Sequence, residues 1–245
     1  MSKNAATTGN NVDTSLAHLA LHRHTLELAG RHWQIDAVAN QEALLAASDH
    51  FTAFPYGLLL WDAALALGAE LAGMGTLPGK RILELGAGVG LVGLVASHLG
   101  ASVFQTDHAA EALELSHHNA VLNGLTGIQL APADWSNWTS TPVTGLFDII
   151  VGSDILYDGS AHGPIAKVLD ASLADDGMVI LTDPKRTATP LFMSGMRKIG
   201  WQVEERERHV AALVPTWPGQ TLPISVIQLK RPKKTSDTAE KPISE

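Results

Sequence analysis

Residues 81–107, RILELGAGVGLVGLVASHLGASVFQTD, place two carboxylates around a run of glycines. Glu84 stands just before Gly86, Ala87, Gly88 and Gly90, and Asp107 follows about twenty positions later. Glycines let a backbone approach a ligand without a Cβ in the way. A carboxylate such as Asp107 accepts hydrogen bonds from both hydroxyls of a ribose. Gly88, Gly90 and Gly93 also spell the dinucleotide pattern G-x-G-x-x-G. Glu84 shifts the reading, because a carboxylate beside the loop repels a pyrophosphate and favours a cation. S-adenosylmethionine, with its ammonium and sulfonium, is therefore the expected ligand in preference to NAD.

Further along, Asp134 and Trp135 follow a short apolar run, and Ser153, Asp154 and Tyr157 follow the apolar run 147–152. Asp134 suits an adenine amino group, and the Trp135 indole offers a stacking face. Plainer roles exist for each: a turn acid for Asp134, a helix cap for Asp154, packing for Tyr157 and for Trp61. No metal site is expected: His117 and His118 are adjacent, and adjacent helical residues do not face each other.

These residues need elements to carry them. Alternating segments at 24–28 and 32–38 around Ala29-Gly30 predict a hairpin. Residues 41–48 predict a helical turn or two, and 58–74 an apolar helix. Strands are expected at 81–85, 102–106, 128–130, 147–152 and 178–182, with helices at 89–99, 111–122, 164–173 and 190–199 between and after them. Segments 201–208 and 225–229 alternate and predict an antiparallel edge pair. The α/β alternation predicts a doubly wound, mostly parallel Rossmann-like sheet with helices on both faces. Ligands in such sheets sit beyond the carboxyl ends of the strands, where Glu84, Gly86, Asp107, Asp134 and Asp154 fall.

The organisation expected is a flexible tail over 1–15, an N-terminal hairpin and helical extension over 16–78, a nucleotide-binding domain over 79–230, and a second tail over 231–245. A 45% apolar content supports a sizeable core, and no apolar run reaches membrane-spanning length. The polar N-terminus lacks a signal-peptide pattern. The absence of cysteine excludes disulfides and thiolate metal sites and suits the cytoplasm. A net charge of −8 argues against broad nucleic-acid binding and favours a basic partner.

The chain resembles the class I S-adenosylmethionine-dependent methyltransferases, and within them the methyltransferase-like 21 group of protein-lysine methyltransferases. Four segments carry the resemblance: LLWDAAL (59–65), ILELGAGVGLVG (82–93), ADW (133–135) and FDIIVGSDILYD (147–158). It implies that Trp61 lies against the cofactor, that Gly86, Ala87 and Gly88 pass under its methionine part, and that Asp107 holds the ribose. Trp135 would flank the adenine, Ser153 would add a backbone contact, and Asp154 and Tyr157 would face the transfer site. The implied activity is methylation of a lysine nitrogen in a protein substrate. A small-molecule methyltransferase on this scaffold, or a nucleotide-binding module or dehydrogenase, stays open as an alternative. The DPKR segment at 183–186 fits neither reading decisively.

Overall fold

The protein is described by a computed structural model, covering Leu16, residues 19–46 and residues 54–232. The expected tails lie outside the described residues, apart from 231 and 232, as does the end of the first expected helix beyond Ala46. A hairpin, β1 (Leu21–Leu28) and β2 (Arg31–Val38), leads into a short helix, α1 (Gln41–Ala46). Then come α2 (Asp62–Gly73), β3 (Arg81–Leu85), α3 (Leu91–His98), β4 (Ser102–Asp107), α4 (Ala110–Leu122), β5 (Gln129–Pro132) and β6 (Phe147–Ser153). The chain continues through α5 (His162–Ser172), β7 (Leu173–Asp183), α6 (Thr189–Lys198), β8 (Gln202–Ala211) and β9 (Thr221–Lys230).

Seven strands form one sheet in the order β5-β4-β3-β6-β7-β9-β8. The first five are parallel, and β9 runs antiparallel to both β7 and β8. This is the expected doubly wound sheet with an antiparallel edge. Period-two alternation explains its two cores. Ile82, Ile149, Val151, Ile180 and Val226 face α2, α3 and the hairpin. Leu83, Leu85, Ile150, Val179, Leu181 and Ile227 face α5 and α6. After β3 the chain winds to one side through β4 and β5, then returns to the other side at β6. That reversal opens a crevice at the carboxyl ends of β3 and β6.

The hairpin turn places Ala29 at φ 55° and Gly30 at φ 68°, the paired positive values that match the twist of the strands. Its second strand is held by α4 in an uncommon way. Asn119 Oδ1 accepts from the Asp36 amide at 2.8 Å, and Asn119 Nδ2 donates to the Asp36 carbonyl at 2.9 Å. Asn123 repeats this on Gln34 at 3.0 and 2.7 Å. Four residues of helix rise about 6 Å and two residues of strand about 6.8 Å, so the amides meet alternate residues of β2. Asp36 also pairs with Arg23 and His118.

Among the described residues, no helix is long and apolar enough to cross a membrane, and no cluster of three His, Asp or Glu side chains could hold a metal ion.

Candidate active site

A cleft of about 590 Å³ opens at the carboxyl ends of β3, β4, β6 and β7. Nine residues expected at a cofactor or transfer site line it: Trp61, Gly86, Ala87, Gly88, Asp107, Trp135, Ser153, Asp154 and Tyr157. Gly86 follows β3 at φ 66°, in the left-handed region that favours glycine. A Cβ there would come within 2.9 Å of Ile155 Cγ2 and 3.7 Å of the Trp135 ring. Asp107 ends β4, and its carboxylate organises the loops around it. One oxygen accepts from the Gly88 amide and the other from the Ala109 amide, both at 3.0 Å. His108 Nδ1 lies 3.3 Å from it, and that contact raises the imidazole's affinity for a proton.

Three expected residues do not line the cleft. Glu84 is 1% exposed and accepts from Gln105 Nε2 at 2.7 Å. Gln105 also donates to the Gly90 carbonyl and accepts from Ser116 Oγ. Burial, opposed by hydrogen bonds from Gln105 and Gly93, pushes the Glu84 carboxyl up to about 8. The expected carboxylate facing a cationic ligand is therefore corrected to a mostly protonated acid beneath the loop. Gly90 serves packing: a Cβ there would sit 2.3 Å from Ser116 Oγ. Asp134 is exposed and caps the turn at Trp135–Ser140, accepting from the Ser136 amide at 2.8 Å.

The Glu84 burial has a measurable consequence. An unfolded glutamate titrates near 4.5, so between that value and about 8 the folded chain binds the extra proton. Stability from this group falls as pH rises through that window. Glu84→Gln keeps an acceptor for Gln105 and removes the ionisation. Its unfolding temperature is expected to exceed the wild type's above about pH 8 and to converge with it near pH 4.5. Thermal melts across that range check this; a difference independent of pH would assign the titration elsewhere.

At the far end of the cleft, β6 hands over to Asp154 in a left-handed conformation, φ 53°, with its amide donating to the Thr182 carbonyl at 2.7 Å. Its buried carboxylate meets Arg186 in a fork: Nε to Oδ1 at 2.9 Å and an Nη to Oδ2 at 2.6 Å. Arg186 comes from the turn after β7. Asp183 shapes that turn, accepting from the Arg186 amide at 2.6 Å and from Thr189 Oγ1 at 2.7 Å. The guanidinium carbon lies 5.9 Å from the centre of the Trp61 ring. Trp61 itself is extended, just ahead of α2, and its indole N–H donates to the Tyr56 carbonyl at 3.0 Å. The rings of Phe54, Tyr56 and Tyr157 follow one another at 4.5 and 6.1 Å, and burial raises the Tyr157 phenol.

Sequence reading missed Arg186, Phe54 and Tyr56. The signal available for Arg186 was its place directly beyond a strand's carboxyl end, where such sheets gather their ligand groups.

The residues fit an amino-acid nucleoside. The Gly86 cradle is a space that a side chain would fill. The buried Trp135 Nε1, on the indole edge nearest that cradle, has no partner among the described residues. Asp107 keeps lone pairs free for a diol beyond the two amides it already accepts. Asp107→Ala is expected to weaken S-adenosylmethionine binding by about 1–3 kcal/mol, through lost charge-assisted bonds and a loosened Gly88 loop. Calorimetric titration of the folded variant checks it; an unchanged dissociation constant would take Asp107 out of the ligand's reach.

The chain is similar to several known methyltransferases. The protein N-lysine methyltransferase METTL21A of Danio rerio is 36% identical over 128 residues, covering 51% of this chain and 59% of its own. The histone-arginine methyltransferase METTL23 of Xenopus laevis is 34% identical over 108 residues, covering 42% of this chain and 46% of its own. The chain thus spans about half to three fifths of the length of these relatives. A solved structure of precorrin-6y C5,15-methyltransferase from Geobacter metallireducens shares the fold at a TM-score of 0.57 and 15% identity, covering 75% of this chain and 94% of that one. Residues 39–198 match the lysine methyltransferase family, which indicates S-adenosylmethionine as the methyl donor. That match takes in the glycine loop, Asp107, Trp135 and the Asp154–Arg186 fork alike, and the chain belongs to the lysine methyltransferase family.

Proposed function

We propose that the protein transfers a methyl group from S-adenosylmethionine to a lysine side-chain nitrogen of a protein substrate, in a cytoplasmic setting. In this reading Gly86, Ala87 and Gly88 underlie the methionine part, Asp107 takes the ribose, and Trp135 packs on the adenine. Trp61 and Ser153 close the cofactor's flank, and Asp154 and Tyr157 bound the transfer site. When bound, the cofactor supplies an activated methyl group on a cationic sulfur. The chain's own task is to hold the acceptor nitrogen in line with that methyl and to keep water away. The aromatic rim of Phe54, Tyr56, Trp61 and Tyr157 suits both, since it admits an aliphatic lysine stem and desolvates its amine.

The observation that carries the choice of lysine is the Asp154 fork. One relative is named for histone arginine, and a carboxylate typically holds a guanidinium through a bidentate fork over both oxygens. Here both already accept from Arg186. A free amine carries two N–H donors and needs no bidentate fork, so one remaining lone pair suffices to orient it.

Incubation of the purified protein with methyl-labelled S-adenosylmethionine and a lysate of its own cell, followed by acid hydrolysis of the labelled band, tests the reading. Methyllysine is expected. Methylarginine would move the assignment to the second chemistry, and label confined to small molecules would overturn it.

A further inference from the structure

Asp154 raises a difficulty for amine methylation. A lysine nitrogen attacks only as the free amine, whereas a lone carboxylate at the transfer site would hold it as the ammonium. The structure supplies a compensating charge. Arg186 reaches Asp154 through both its Nε and an Nη, and the Asp154 side chain is 6% exposed against 40% for Arg186. The pair is part of a partition. A smaller cavity of about 320 Å³, lined by Asp62, Pro184, Lys185 and Pro223, shares Trp61, Asp154 and Arg186 with the main cleft. The fork is built in: Asp183 ties the Arg186 amide, Lys185 adopts φ 66° to turn the chain, and the Trp61 ring backs the guanidinium.

We propose that Arg186 is a positioning residue that cancels the charge of Asp154, so that Asp154 presents no uncompensated carboxylate to the transfer site and the acceptor nitrogen is received as a neutral amine. This rests on the methyltransferase reading above. Of the other charged groups nearby, His108 lies beside Asp107 and Asp158 accepts from Ser160. Asp107 is committed to two backbone amides, and Lys185 pairs with Glu207 at 2.5 Å. Asp183 is buried with Thr189 and the Arg186 amide, and burial favours its protonated form. Arg186 is thus the cation that decides whether Asp154 acts as a bare charge.

The test reads charge at the sulfur and needs no acceptor. S-adenosylmethionine and S-adenosylhomocysteine differ at that atom by a methyl group and one positive charge. Calorimetric dissociation constants for both, with the wild type, Arg186→Met, Arg186→Lys and the double variant Arg186→Met/Asp154→Asn, measure the local potential. Arg186→Met leaves Asp154 uncompensated and is expected to raise preference for the cationic ligand over the neutral one by on the order of tenfold, the scale of one unit charge at an effective dielectric of about 20 softened by an open cleft. Arg186→Lys should keep the wild-type ratio, and the double variant should restore it. A purely structural role would weaken both ligands together and leave the ratio alone. An unchanged ratio in Arg186→Met, with both ligands bound, overturns the inference. Failure of the wild type to bind either ligand would instead overturn the cofactor reading.

Discussion

Gly86→Val is expected to abolish measurable S-adenosylmethionine binding while leaving the sheet folded. Two effects combine. Valine, branched at Cβ, is forced into the left-handed region at φ 66°, where it is a strained outlier. Its Cβ then falls 2.9 Å from Ile155 Cγ2 and 3.7 Å from Trp135, with two methyls still to place. The cradle closes, and Trp135 is pushed from its position beside the loop. β3 hydrogen-bonds to β4 and β6 through residues 81–85, so its ladder survives. Circular dichroism with calorimetry checks the separation. A variant that titrates like the wild type would put the ligand elsewhere.

The second large effect is on turnover. Asp154→Asn is expected to lower methyl transfer by about two to three orders of magnitude while keeping wild-type affinity for S-adenosylhomocysteine. Asparagine tolerates φ 53° and nearly preserves shape, whereas alanine would add backbone strain. The amide leaves the Arg186 guanidinium uncompensated beside the acceptor nitrogen and weakens the fork holding it. Transition-state positioning is lost and neutral-ligand contacts are not, so kcat falls with little change in the product's dissociation constant. Full activity on the acceptor recovered by labelling would remove Asp154 from the reaction.

Much of the scaffold was legible because it follows from periodicity. Continuous apolar runs mark β3, β6 and β7, and helical spacing marks the crossovers between them. Glu84, Gly86, Asp107, Asp134 and Asp154 followed from that topology and others, such as Trp61 and Ser153, from the family resemblance; nine of the twelve line one cleft. Glu84 was misread for a reason visible afterwards. Position 84 lies on the same face of β3 as Ile82, towards α3, with Gln105 as its register partner on β4. A carboxyl in a strand covered on both faces belongs to the interior. Trp61 was placed inside a helix because its apolar neighbours continue the helical pattern, yet α2 begins only at Asp62. Arg186 lies 32 residues from its partner, and only the neighbouring of β6 and β7 brings the two together.

The asparagine pair formed by Asn119 of α4 and Asn123 at its C-terminal cap bears on how the molecule behaves among its own copies. A hairpin sitting apart from the main sheet offers unpaired backbone groups to any extended segment that drifts past, which is a route to strand addition between molecules. On β2 the outward amides and carbonyls of Gln34 and Asp36 are already taken by Asn119 and Asn123. Two side chains, one from the helix and one from its cap, thus complete the edge that a third strand would have covered. Because these four bonds reach main-chain atoms, they do not depend on the side chain at position 34, whereas Asp36 adds a side-chain tie to His118 of α4.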